Sequence, residues 1–307
     1  MYGIIVHGGA GGTSPLAEEG CRRAAEIGMD ILRRGGSSLD AVIAAVRFLE
    51  DSGDFNAGTG SVLRADGKTI EMDAVVANSS GMYGAVAAVR DIKNPVLLAL
   101  ALSATTTRFL VGDGARAFAR QMGLEDHPGP TPRALERAAQ LRALLMGAYR
   151  GGTLSTVAPG WDPVELQQYG IIPEGDGALF YARDCDTVGA IGLDRQGVFA
   201  IAGSTGGSGL MRLGRVGDVT ADGAGHRLGS FGGVLATGVG EAIMARRGAE
   251  QVARLIEEMG FAPQDACAHV ALKVFPPETD VGFIAMNRNG VGHNANCPMS
   301  FHYMTDE

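Results

Sequence analysis

The chain of 307 residues has one tryptophan, aromatic residues at only 6%, and four cysteines. Those cysteines (Cys21, Cys185, Cys267 and Cys297) are scattered and form no CxxC pair, which argues against a disulfide framework and for reduced thiols. No block of basic residues occurs. Lys and Arg number 26 against 34 Asp and Glu, a net charge of −8, so the basic face of a nucleic-acid binder is missing. The longest apolar stretch, Pro95 to Ala104, is too short to span a bilayer. The segment Met1 to Gly8 has no basic n-region and too short an apolar run for a signal peptide, which predicts a cytoplasmic protein with no membrane partner. The six histidines make no HxxxH or HExxH pair, and His293 with Cys297 alone is a poor metal site.

Glycine is abundant instead. The 47 glycines are about 15% of the chain, roughly twice ordinary usage, without the G-X-Y period of collagen. They imply many tight turns and close backbone approaches. With 46% apolar and 20% charged residues the chain is an ordinary globular one, long enough for two domains or one large one.

The patterning predicts a buried strand over 3–10 and a helix over 15–35. A second helix runs from Leu39 to about Glu50, with Ser38 as its N-cap, and a hairpin is expected from Val62–Arg64 and Thr69–Ala77. A strand follows at Gly84–Val89. Helices are expected over 95–104 (opened by Asn94-Pro95), 112–122 and 131–148. Residues 150–186 show no sustained periodicity and read as a linker. Strands at 187–193 and 198–204, helices at 239–257 and 263–273, and strands at 280–287 and 291–303 complete the chain. Hairpin connections outnumber βαβ units, which favours an antiparallel or mixed sheet layered with helices.

Familiar motifs fail in context. Gly112 to Ala117 fits GxGxxA, but a loop follows where a dinucleotide site needs a strand and an acid. Ala202 to Gly206 resembles a nucleophile elbow, yet Ala replaces the first glycine and no helix follows. One cluster carries chemistry: Asp186-Thr187-Val188-Gly189-Ala190, where linker becomes strand. A peptide break before Thr187 would put a free α-amine beside its hydroxyl as the base that a threonine nucleophile needs. Taken alone, a threonine opening a strand is usually only that.

Eight stretches, in order, resemble the plant-type asparaginases, or isoaspartyl peptidases, among the N-terminal-nucleophile hydrolases. They are Ile4–Gly11 (IIVHGGAG), Phe55–Leu63 (FNAGTGSVL), Glu71–Ala74 (EMDA), Asp186–Ala190 (DTVGA), Ser204–Gly207 (STGG), Gly214–Asp218 (GRVGD), Gly223–Gly225 (GAG) and Thr237–Glu241 (TGVGE). The resemblance covers nearly the whole chain. It implies an α+β, four-layer αββα sandwich, one domain over 1–307 made of two pieces, 1–186 and 187–307, after self-cleavage between Asp186 and Thr187.

The same resemblance implies roles. Thr187 is the nucleophile and Thr205 its hydrogen-bonding neighbour. Thr237 and the Gly238 N–H form the oxyanion hole. Arg215 grips a substrate α-carboxylate, Asp218 accepts its α-ammonium, and Gly240 lies against the substrate. Asn56 packs near the nucleophile. No organic cofactor is expected. The loop from Leu49 through Glu50, Ser52, Phe55 and Ala57 to Thr59 would hold a sodium ion through backbone carbonyls. The implied partners are L-asparagine or a β-aspartyl dipeptide and a second processed unit in a homodimer.

Three departures bear on the leaving-group side. Asp186 stands where many asparaginases have Gly and glycosylasparaginases have Asp. Val219-Thr220 replaces a usual Ser-Pro, and Ala77 to Ser80 replaces a Met-Asp-Gly stretch. Glycosylasparaginase activity and a non-catalytic amino-acid-binding relative are the alternatives.

Overall fold

The computed structural model describes residues 1–150 and 187–306. Most of the linker expectation, with Asp186 and Cys185, lies outside the described residues. The first strand, β1 (Gly3–Ala10), is buried along its whole length. A strand covered on both faces reads as a continuous apolar run, and GIIVHGGA is one. Helix α1 (Pro15–Arg33) opens on the Ser14 hydroxyl, which accepts from Ala17 N–H at 3.1 Å, with proline in the first turn.

Helix α2 (Ser38–Ser52) is capped by Ser37, not Ser38. The Ser38 hydroxyl is turned inward and donates to Asp194 at 3.0 Å, tying the helix to a turn between strands far along the chain. Gly53, at φ +75°, ends α2 in the left-handed region.

The expected hairpin over 62–77 is only half present. Residues 62–64 form no strand, although Arg64 N–H does meet Thr69 O at 2.8 Å. Strand β2 (Met72–Asn78) pairs instead with β3 (Tyr83–Val89) and with a strand from the second half of the chain. Helix α3 (Pro95–Ser103) does start at Pro95, but the Asn94 side chain makes no cap bond and reaches Glu50 and Asp51 instead. A short strand β4 (Phe109–Val111) and helices α4 (Gly112–Gln121) and α5 (Pro132–Arg150) follow.

Beyond residue 186 come β5 (Val188–Leu193), β6 (Phe199–Thr205), β7 (His226–Gly229) and β8 (Gly232–Gly238). The expected helix over 239–257 is broken. Arg247, at φ +51°, separates α6 (Gly240–Arg246) from α7 (Gly248–Glu257), and the turn lets α7 bury Ala249, Val252, Ala253 and Ile256. Helix α8 (Pro263–His269) continues into a wider π-type turn at Val270–Val274. Strand β9 (Val281–Asn287) matches its expectation. The single strand expected over 291–303 is two, β10 (Gly290–Ala295) and β11 (Met299–Thr305), split around Pro298, which has no N–H to give a ladder.

The two halves of that split belong to different sheets. One sheet runs β11-β1-β5-β6-β2-β3-β4 and the other β10-β9-β8-β7. Every pairing is antiparallel except β3 with β4. Ile5, Ile191 and Ile201 of the seven-stranded sheet pack with Leu235, Ile284 and Met286 of the four-stranded one. Residues of α1 to α4 share a core with the first sheet, and those of α6 to α8 with the second. The result is a mixed α+β fold with two sheets. Residues 187 and 205 lie at neighbouring ends of β5 and β6, the central strands of the larger sheet, where Val188 pairs with Ser204.

Candidate functional site

Thr187 stands at the head of β5 and is 6% exposed. Its hydroxyl donates to Thr205 Oγ1 at 3.2 Å. Thr205, the last residue of β6, also accepts the N–H of Gly207 at 3.0 Å. Gly207 has φ +76°, so the STGG turn needs glycine there. Asn56 braces this turn from the other side. Its carbonyl accepts from Gly206 N–H at 2.8 Å, its amide donates to Gly207 O, and its Oδ1 accepts from Val62 N–H.

Thr237 and Gly238 close β8. The Thr237 hydroxyl accepts from Ala10 N–H at 3.2 Å, so the end of β1 meets it from the other sheet. Gly238 has φ +128°, and a Cβ there would stand 2.2 Å from Asp280 O. The two expected oxyanion donors therefore rest on a backbone shape that only glycine takes.

Arg215 and Asp218 both approach Gly240. A Cβ on Gly240 would be 2.8 Å from both Arg215 Nη2 and Asp218 Oδ1. Asp218 is 5% exposed, and its Oδ2 is buried with no hydrogen-bond partner among the described residues. Burial pushes its pKa up to about 7, against the pull of Arg215. Arg215 donates Nε and Nη2 to the two oxygens of Glu241 at 2.9 and 3.0 Å. Burial alone would raise Glu241, yet the charge and fork of Arg215 hold it below the usual carboxylate range.

Of the seven residues, Thr187, Thr205, Thr237 and Gly238 stand at the ends of β5, β6 and β8, Arg215 and Asp218 in the connection between β6 and β7, and Gly240 at the start of α6. Sequence reasoning missed four residues beneath them. Arg64 is fully buried and donates to the backbone oxygens of Glu71 and Arg215, both at 3.1 Å. Glu71, also buried, pairs with Arg64 and Arg90 and accepts Gly214 N–H. Asp73 accepts from Gly217 N–H at 2.7 Å and Ala88 N–H at 2.8 Å. Glu241 is the fourth. The EMDA and TGVGE stretches contain the three acids, Glu71, Asp73 and Glu241, but only a folded chain shows which loop each one holds.

His7 lies against the backbone of Thr187, and burial drives its pKa down to about 3. It stays neutral through ordinary pH and supplies no charge to the site. Among the described residues no cluster of His, Cys, Asp and Glu suits a metal. The loop expected to hold sodium offers neutral oxygens instead. Leu49 O accepts the Ser52 hydroxyl, Phe55 O accepts Ala57 N–H, and Ala57 O accepts Gly60 N–H. The Thr59 hydroxyl oxygen is buried without a partner among the described residues. Carbonyls plus an orphaned hydroxyl fit an alkali cation. The Glu50 carboxyl points elsewhere, to Asn94 and Val96 at the start of α3.

A sequence profile described as Asparaginase matches residues 1–307, the whole chain. The chain belongs to the asparaginase family. It is 36% identical to the plant-type L-asparaginase of Thermococcus kodakarensis, an alignment covering all of this chain and 97% of that protein. It is 36% identical to the isoaspartyl peptidase/L-asparaginase of Danio rerio over 94% of this chain and 86% of that one. A similar protein of Macaca fascicularis is 38% identical over 72% of this chain and 66% of its own length. This member of the asparaginase family is an amidohydrolase, and the non-catalytic alternative is set aside. Among the described residues no helix is long and apolar enough to cross a membrane.

Proposed function

We propose that this asparaginase hydrolyses the side-chain amide of L-asparagine and of β-aspartyl peptides, with Thr187 as nucleophile. The observation that carries the reading is the Thr187 hydroxyl donating to Thr205 at 3.2 Å, in a site that also holds Arg215 and Asp218. A cation and an anion side by side fit an amino-acid head group, which a simple amide would not need. Thr187 attacks the carbonyl and its α-amine takes the hydroxyl proton, then returns it to the amide nitrogen as the C–N bond breaks and ammonia or the amino acid leaves. Thr237 and Gly238 hold the oxyanion, and water opens the resulting ester.

The proposal includes processing into 1–186 and 187–307, since only a chain end at Thr187 supplies that amine. The packing of two sheets between two groups of helices supports the four-layer sandwich. A sodium ion on Leu49, Glu50, Ser52, Phe55, Ala57 and Thr59 would brace the loop that carries Asn56, with no organic cofactor. Dimerisation of processed units and a cytoplasmic location follow from resemblance and composition. The glycosylasparaginase alternative rests on Asp186, outside the described residues.

Intact-mass spectrometry over hours to days tests the reading. The expected products are two chains with Thr187 as the new N-terminus, appearing in step with asparaginase activity. Thr187→Ala should stay one chain and be inactive. Full activity from a chain intact at this bond would refute the mechanism.

A further inference from the structure

Arg215 sits in a stretch with little structure of its own. Residues 214–217 form no helix or strand, and the stretch begins and ends on glycine, with Gly214 at φ +79°. Its backbone is fixed instead by the first half of the chain. Glu71 accepts Gly214 N–H at 2.6 Å, Arg64 donates Nη2 to Arg215 O at 3.1 Å, and Asp73 accepts Gly217 N–H at 2.7 Å. Three charged side chains, all fully buried, thus hold three backbone groups within four residues.

Arg64 does more than hold a carbonyl. Its Nε lies 3.3 Å from Glu71 Oε2, and its Nη1 has no hydrogen-bond partner among the described residues. A Cβ on Gly207 would stand 2.7 Å from Arg64 Nη1 and 3.2 Å from Arg215 Nη1. Two guanidiniums therefore converge on a place that only a glycine at φ +76° leaves open. Burial and the Arg215 cation work against the Arg64 charge, and Asp73 and Glu71 offset them. A Cβ on Gly217 would in turn stand 3.3 Å from both Asp73 Oδ2 and Arg215 Nη1. Buried Asp73 is thus a rival to the half-buried Glu241 for the Arg215 guanidinium.

We propose that Arg64 is a positioning residue for the head-group cation: it offsets the charge of Glu71 and Asp73 and pins Arg215 O, which leaves the Arg215 guanidinium to Glu241 and the substrate. The inference rests on the function proposed above, in which Arg215 takes the α-carboxylate. Without the Arg64 charge, Asp73 draws Arg215 inward, because a buried acid that loses its cation takes the nearest other one.

The test compares processed wild-type enzyme with Arg64→Met and Arg64→Lys on L-asparagine, each also combined with Arg215→Ala. Arg64→Met should raise KM about tenfold and leave kcat within about threefold. Arg64→Lys keeps the charge but not the fork, and should raise KM only about threefold. In the Arg215→Ala background either change should cost less than about twofold in kcat/KM, because the cation that Arg64 positions is gone. The same loss with and without Arg215 would overturn the inference, since a merely structural arginine acts in both backgrounds. An unchanged KM in Arg64→Met would overturn it as well. If Arg64→Met does not fold, Arg64→Lys alone completes the cycle, and equal losses in its two backgrounds are again the refuting result. Wild-type inactivity on L-asparagine and β-aspartyl-leucine would instead refute the function on which the inference rests.

Discussion

Arg215 and Glu241 face each other through a two-point fork, Nε and Nη2 against the two carboxylate oxygens at 2.9 and 3.0 Å. The guanidinium is thus aimed before any substrate arrives, and it keeps Nη1 beside Gly207 and Gly217. Arg215→Ala should reduce kcat/KM for asparagine and β-aspartyl dipeptides alike by about 2–4 kcal/mol, while self-cleavage survives. Glu241→Ala should raise KM by about tenfold with a smaller change in kcat, because the cation remains but loses its aim. Steady-state kinetics on both variants decide this, and an unchanged KM would remove both residues from the head-group clamp.

The Gly240 backbone leaves the gap between Arg215 and Asp218. Gly240→Ala puts a methyl 2.8 Å from both side chains, in the space assigned to the amino-acid head. We expect kcat/KM to fall by at least about tenfold with little change in melting temperature. A variant of normal activity would show that the head group binds elsewhere.

Asp218 titrates near neutrality because it is buried, with a pKa pushed up to about 7. It must be ionised to accept an α-ammonium, so KM for asparagine should rise as pH falls through about 7. A separate ionisation in kcat should report the Thr187 amine, near the reference range of about 7.7–8.0. Asp218→Asn should abolish the first pH dependence and leave the second. His7 is driven to about 3 and should contribute neither. A wild-type KM that is flat from pH 6 to 8 would contradict this assignment.

Glu50 offers a test of stability. It is fully buried, and burial raises its pKa to about 8. Between its ordinary value and about 8 the folded chain holds a proton that the unfolded chain has released. Stability contributed by this group is therefore present at low pH and falls as pH rises through that window, by at most about 1.4 kcal/mol per unit. Glu50→Gln keeps an oxygen for one of the donors from Asn94 and Val96. Denaturation with urea at pH 5 and pH 8 should show a smaller difference for the variant than for the wild type, and an equal difference would mean Glu50 is already ionised.

Much of this protein was readable without a structure. The buried strands, GIIVHGGA and VGAIGL, announce themselves because a strand covered on both faces carries no polar alternation. The helix at 95–103 announces itself through proline in the first turn. The order of short glycine-rich stretches was enough to select the family. What those stretches do to one another was not readable. Strand β8, which carries Thr237, went unseen because GGVLATG lacks a local boundary signal. The choice of Ser37 over Ser38 as cap turned on Asp194, 156 residues away. Arg64, Glu71 and Glu241 look like ordinary charges in the chain. Only in the folded chain does Arg64 of the first half reach the Arg215 carbonyl of the second, and Glu241 the Arg215 guanidinium within the second, contacts 151 and 26 residues apart. Local propensity acts over a few residues, so it sets where elements begin. The site is assembled from pairings of distant residues, and those are settled by burying the two sheets against each other, which only the folded chain does.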